Sequence, residues 1–303
     1  MLALVVSVSV SLPGPARAEV PSRQMPVVAP LYAPILMYHH IGAPRAGRFS
    51  VTPAKFAEQL NWLRDQGYRS VSIDDIASAA QGGPPLPPKP IAITFDDGWR
   101  DQYDIALPLL KEFGFKATFF VVSGWVGRGR TLMTWAELRD LRARGHWVGS
   151  HSVTHGAAAK QTDKVVAYEV IQSRNTISRE LGGPPTIFAY PLGSIDARAE
   201  ALARAAGYVA AVDVQANPIQ RASQLYRLKR IEVRGTYSLG NLASWLIAGK
   251  DGVLPVPRSP WWQTLRRSFP GSPPLAGARG GPHGFCRGRD APWRDCVAGC
   301  PTA

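Results

Sequence analysis

Cysteine is scarce: the chain has three among 303 residues, and Cys286, Cys296 and Cys300 all fall in its last 18. Their spacing is not that of a Cys-x-x-Cys metal knuckle, and His283 is the only imidazole near them. In an oxidising compartment two of the three would pair, leaving one free or bonded between chains. Long apolar runs are also missing. No segment beyond Leu12 is long and apolar enough to cross a bilayer of ~30 Å. Nor is there a run of Lys and Arg interleaved with aromatics. The formal charge of +13, from 35 basic and 22 acidic residues, is therefore not a nucleic-acid footprint. No internal repeat is visible.

The one sustained apolar run, Leu2 to Leu12, is followed by Pro13, Gly14 and then Ala16-Arg17-Ala18, the small-x-small pattern of a signal peptidase site. The expectation is a signal peptide over 1–18 and a mature N-terminus at Glu19. No Lys or Arg precedes the run, which departs from the usual leader. A stretch of about 11 residues is too short for a membrane anchor. The protein is therefore expected to be exported, periplasmic or secreted. There a basic surface meets anionic envelope polymers or membranes rather than nucleic acid.

Residues 19–33 read as a proline-rich lead-in. From 34 to 254 strand and helix patterns alternate. Strands are predicted over Ile35–His39, Val71–Ile73, Ile91–Phe95, Ala117–Val122, Trp147–Gly149, Thr186–Ala189, Tyr208–Val212 and Leu228–Val233. Between them, Thr52-Pro53 opens a helix that ends near Gly67, and a short helix is capped by Asp74 or Asp75. Further helices are predicted over Asp101–Phe113, Trp135–Arg144 behind a Thr134/Glu137 capping box, about Lys160–Leu181, Asp196–Ala206 and Leu239–Ile247. This alternation is α/β, and a barrel and an open doubly wound sheet fit it equally. Residues 255–303 lose periodicity and carry seven Arg against two Asp, a basic, irregular tail.

Two segments could carry chemistry. Asp96 and Asp97 close an apolar strand, where two carboxylates are costly unless a cation or hydrogen bonds compensate. A helix cap or solvated turn is the plain alternative. His151 and His155 also follow a strand, and histidines four apart can converge on one side of a helical turn to hold a metal. Two His and one Asp, with positions left for water and substrate, would make a catalytic rather than a structural site.

TFDDG at 94–98 and HSVTH at 151–155 together resemble the first two motifs of the polysaccharide deacetylases, carbohydrate esterase family four or NodB-homology domain. FAYPLG at 188–193 resembles the third, in the form used by exported enzymes acting on poly-N-acetylglucosamine. The likeness covers roughly Pro34 to Ile247. It implies a distorted (β/α) barrel, often seven-stranded, and resolves the choice between barrel and open sheet.

The resemblance also implies roles. Asp97, His151 and His155 would bind one divalent metal, zinc first, with cobalt or nickel as alternatives. Asp96 would be the general base, and the Leu192 backbone N–H would help hold the tetrahedral oxygen. The family's usual acid, a late histidine, is missing, because His283 lies in the irregular tail. Some relatives place it in an early Tyr-His strand end, which assigns it here to His39. Strand alternation points His40 the other way. Ala189 replaces an arginine that commonly braces the base, so the brace is absent or comes from elsewhere. Asp213, Arg227 and Arg230 lie where supporting charges would be expected. Tyr38, Trp99, Trp125 and Tyr190 are candidate groove residues. The implied activity is hydrolysis of N-acetyl groups from a glucosamine polymer. The alternatives are an inactive glycan-binding module and an enzyme acting on peptidoglycan, chitin oligomers or acetylated xylan. The expected partner is N-acetylated polysaccharide, with no nucleic acid and no stable membrane span; protein partners are not specified.

Overall fold

The computed structural model describes residues 29–42 and 44–248. The expected leader, most of the lead-in, the basic tail and the three cysteines lie outside the described residues. No helix among the described residues is long and apolar enough to cross a membrane.

Seven strands form one curled parallel sheet: β1 (Ile35–Tyr38), β2 (Pro90–Phe95), β3 (Thr118–Val121), β4 (Trp147–Ser150), β5 (Ile187–Ala189), β6 (Ala210–Val212) and β7 (Ile231–Glu232). Their order is β6-β5-β4-β3-β2-β1-β7. A short eighth strand, Arg69–Ser70, pairs with the start of β2. Leu228, ahead of β7, makes a parallel bridge to Val212 of β6. Its carbonyl accepts from Asp213 N–H at 2.8 Å and its N–H donates to Ala211 O at 2.9 Å, so the two edges of the curl are tied. The expected distorted barrel is thus a sheet bent back on itself, with one backbone bridge at the seam.

β2 and β3 are buried at every position, as parallel strands covered on both faces must be. Their alternate residues serve two cores. Leu36, Tyr38, Ile93, Phe95 and Phe119 pack outward against helices α1 (Pro53–Asp65), α3 (Leu107–Phe113), α4 (Trp135–Ala143) and α7 (Leu239–Ala248). Ile35, Ala92, Phe120, Ala189 and Val212 pack together inside the curl, with Ile73, Ile76 and Ala77 of α2 (Ile73–Ala80). The inner residues are mostly small, and the Phe120 ring fills the space they leave. A Cβ on Gly149 would stand 2.4 Å from that ring, so β4 needs glycine there.

Several helix starts follow local rules. Thr52 accepts from Lys55 N–H with Pro53 in the first turn, and Thr134 and Glu137 form the reciprocal capping box. The short helix α2 is instead capped by Ser72, with Asp75 completing its box, because the preceding strand ends at Ser70 rather than Ile73. The predicted Asp101–Phe113 helix divides into a π-turn, Gln102–Ala106, and α3. The long helix α5 (Asp163–Leu181) starts later than predicted, after a separate 3-10 turn at Ala158–Lys160. α6 (Ala197–Ala205) is capped by Asp196 as expected.

His146, just before β4, is buried, and its Nδ1 accepts from Ala117 N–H at 3.2 Å. Burial, then the charges of Lys116 and Arg144, push its pKa down to about 4. The unfolded imidazole, near 6.5, takes a proton that the folded one refuses. Stability is therefore expected to fall as pH drops from about 6.5 toward about 4. In urea unfolding across that window, His146→Asn should show a shallower decline than the parent; an equal slope would refute this.

Candidate active site

Because the strands are parallel, the loops following them gather at one end of the curl. β1 runs into His39 and His40, β2 into Asp96 and Asp97, β4 into His151, and β5 into Tyr190 and Leu192. Five non-glycine residues among those described have positive φ: Lys89, Asp97, Ser152, His155 and Leu192. Four of the five lie in these loops. Left-handed backbone is costly for such residues and persists only where the surroundings fix it.

The expected helical turn at 151–155 is not formed; these residues make a loop. Ser152 at φ 68° and His155 at φ 65° bend the chain so that both imidazoles meet Asp97. His151 Nε2 and His155 Nε2 lie 3.6 and 3.3 Å from Asp97 Oδ1. That oxygen is buried without an aligned hydrogen-bond donor. Three ligand atoms from these residues lie within 4.8 Å of one another. A buried carboxylate oxygen facing two imidazole nitrogens fits a divalent cation.

Neighbouring groups orient each ligand. His151 Nδ1 donates to Ala189 O at 2.8 Å, which leaves the Nε2 lone pair facing Asp97. Burial holds the His151 pKa below its usual value, against the opposing pull of Asp96 and Asp97. The Trp99 indole N–H donates to Asp97 Oδ2 at 2.9 Å. Trp125 packs 5.3 Å from the His155 ring. For Asp97, burial raises the pKa, but the proximity of the His155, His151 and His39 imidazoles outweighs it and holds the carboxyl well below the carboxylate range.

Asp96 is 2% exposed and carries the missing brace. Arg230, fully buried, forms a fork with Asp96 Oδ1 and Oδ2 at 2.6 and 2.8 Å. Its Nε donates to Asp213 O at 2.9 Å, and its guanidinium lies 5.5 Å from the Phe120 ring centre. Arginine therefore comes from just ahead of β7, while Ala189 contributes a carbonyl to His151. Burial raises the Asp96 pKa, but Arg230 and then His151 more than offset this and hold it low. Of the other two supporting candidates, Asp213 is buried with Lys229 Nζ at 3.3 Å, and Arg227 instead pairs with Glu200 at 2.5 Å.

His39 and His40 diverge. His39 packs 4.7 Å from Phe49 and has a buried, unpartnered Nδ1. His40 Nδ1 pairs with Asp101 Oδ2 at 2.7 Å, and its ring lies 4.4 Å from Trp99. Two expected groove residues belong to the core instead. Tyr38 is fully buried, and its hydroxyl donates to Gln59 Oε1 at 2.9 Å. Tyr190 is 1% exposed and packs on Phe188. The outward core needs large aromatics at these strand positions, so neither ring can line a groove. Trp99 and Trp125 are half-buried, with ring centres 6.3 Å apart. Leu192 stands at φ 58°, with its side chain 70% exposed.

Sequence reasoning missed two residues. Gln102, fully buried in the π-turn, donates from Nε2 to His39 O at 2.8 Å and Asp96 O at 2.6 Å, tying the ends of β1 and β2. Glu169, on α5, accepts from the loop between the two histidines. No motif marks either residue.

Residues 83–211 match the family model described as polysaccharide deacetylase. Over this segment the chain is similar to the polysaccharide deacetylase domain. The deacetylase PplD of Streptococcus pyogenes has 27% identity and a TM-score of 0.68, over 72% of this chain and 99% of that one. IcaB from Ammonifex degensii has 26% identity and a TM-score of 0.64, over 71% and 96%. The chain is also 26% identical over 244 residues to the poly-beta-1,6-N-acetyl-D-glucosamine N-deacetylase of Escherichia coli (strain K12). That match spans 67% of this chain and 36% of the E. coli protein.

The Asp96–Arg230 fork gives a stability test. Arg230→Met strands a buried carboxylate and should cost about 3–5 kcal/mol in urea unfolding. Adding Asp96→Asn should recover much of the loss. A cost below about 1 kcal/mol, that of an exposed pair, would contradict the buried geometry.

Proposed function

We propose that the chain is an exported polysaccharide N-deacetylase that hydrolyses N-acetyl groups of a glucosamine polymer, releasing acetate and a free amine. The observation that carries this reading is the convergence of Asp97, His151 and His155 beside an Arg230-held Asp96. Asp97, His151 and His155 would hold one divalent cation, for which two imidazoles and a carboxylate suit zinc. When bound, the cation supplies Lewis-acid polarisation of the amide carbonyl.

The chain's own residues perform the rest. Asp96, kept ionised by Arg230, takes a proton from the attacking water. The fork fixes the carboxylate plane, so the base needs no reorganisation as it acts. The Leu192 N–H, set by its left-handed backbone, donates to the oxyanion as the carbonyl carbon becomes tetrahedral. His39 gives a proton to the departing nitrogen, because an amide anion is too poor a leaving group to depart alone. The C–N bond then breaks. His40 is instead engaged through Nδ1 with Asp101. Trp99 and Trp125 offer half-buried rings beside the ligands for sugar packing. An inactive glycan-binding module would be expected to have lost part of this set, and every member is present.

The test is acetate release from N-acetylglucosamine oligomers and polymers by zinc-loaded protein. Asp96→Asn and His39→Ala should each lower kcat by about 10²–10⁴-fold, while His40→Ala should cost much less. Absence of release by folded, loaded parent on this panel would overturn the reading. Equal losses for the two histidine variants would overturn the assignment of the acid.

A further inference from the structure

We propose that Glu169 is a positioning residue that locks the 151–155 loop in its metal-binding conformation. The inference rests on the reading of Asp97, His151 and His155 as metal ligands. Glu169 is on α5, 5% exposed, and its ring of partners is the loop between the two histidines. Oε2 accepts from Val153 N–H and Thr154 N–H, both at 2.8 Å, and Oε1 accepts from the Thr154 hydroxyl at 2.6 Å. One buried carboxylate thus holds two successive backbone N–H groups and a side chain.

The loop needs such a hold. Ser152 and His155, its two bends, both have left-handed backbone and neither is glycine. Left-handed backbone is costly at such residues and relaxes unless neighbours over-determine it. On the carbonyl side, Ser123 N–H donates to Ser152 O and Gly124 N–H to Val153 O, both at 3.0 Å. That approach is so close that a Cβ on Gly124 would lie 2.4 Å from Val153 O. Ser152 Oγ also accepts from His155 N–H at 3.0 Å. Glu169 clamps the opposite, N–H side. Without it, the Val153 and Thr154 N–H groups lose their partners and the bend at His155 is free to relax. His151 has a separate anchor in Ala189 O, so the loss falls mainly on His155.

Glutamine offers a discriminating rescue. Its carbonyl oxygen can accept both N–H bonds, and its amide can donate to the Thr154 hydroxyl oxygen. The experiment measures zinc affinity by competition with a chromogenic chelator, alongside metal-free thermal melts, for the parent, Glu169→Ala, Glu169→Gln and Thr154→Val. Glu169→Ala should weaken zinc binding by about 10–100-fold, and Glu169→Gln should regain most of it. Thr154→Val, which removes one bond of the three, should fall between. Unchanged affinity in a folded Glu169→Ala protein would overturn the proposal. If that variant does not fold, unchanged affinity in Thr154→Val does so. A Glu169→Gln protein as weak as Glu169→Ala also counts against it, since charge rather than loop geometry would then be at work. A folded parent that takes up no zinc overturns the reading of the metal site, and this inference with it.

Discussion

The buried fork between Arg230 and Asp96 is the constraint around which the domain is organised. A guanidinium and a carboxylate inside a curled sheet are each very costly alone and tolerable only together. Their pairing needs three conditions. β2 must carry its inner column, Ala92, Thr94 and Asp96, to the open end. The chain ahead of β7 must return to the far edge of the sheet. The interior must be apolar enough to keep water from the pair, which the Phe120 ring beneath the guanidinium helps to do. The small inner residues and Gly149 follow from seating that ring, and the Leu228 bridge brings Arg230 into position.

Around this fixed base the other groups are held by backbone atoms as often as by side chains. A carbonyl of β5 sets the His151 tautomer, and one glutamine joins the ends of β1 and β2. The non-glycine left-handed residues cluster where ligands and donors must point inward, while helix starts obey ordinary capping rules. Apart from Lys89, ahead of β2, the left-handed non-glycine backbone lies with the chemistry.

The architecture was largely legible in the sequence because its signals are local. Apolar runs such as Ile91–Phe95, the Thr134/Glu137 box and Thr52-Pro53 each specify an element without knowledge of its neighbours. The Asp and His of the two motifs were legible for the same reason. Pairings across long separations were not. Arg230 lies 134 residues from Asp96, and nothing near it in sequence separates it from Arg227, which turns to Glu200. Tyr38 and Tyr190 look like sugar platforms by type and position, yet the outward core claims both rings. The Ser72 cap was displaced because the strand before it ends sooner than its apolar residues suggest. The loop at 151–155 shows the limit of spacing arguments: histidines four apart converge here through two bends, not through a helical turn.

The π-turn at Gln102–Ala106 gives this segment one residue of slack. Its wider ring holds one residue more than an α-turn would, and Gln102 is the residue that reaches both strand ends. A single-residue deletion elsewhere in the turn is taken up by closing it to an α-turn, whereas loss of Gln102 leaves the carbonyls of His39 and Asp96 without the amide that joins them. In this stretch the count of residues is forgiving and the identity of one of them is not.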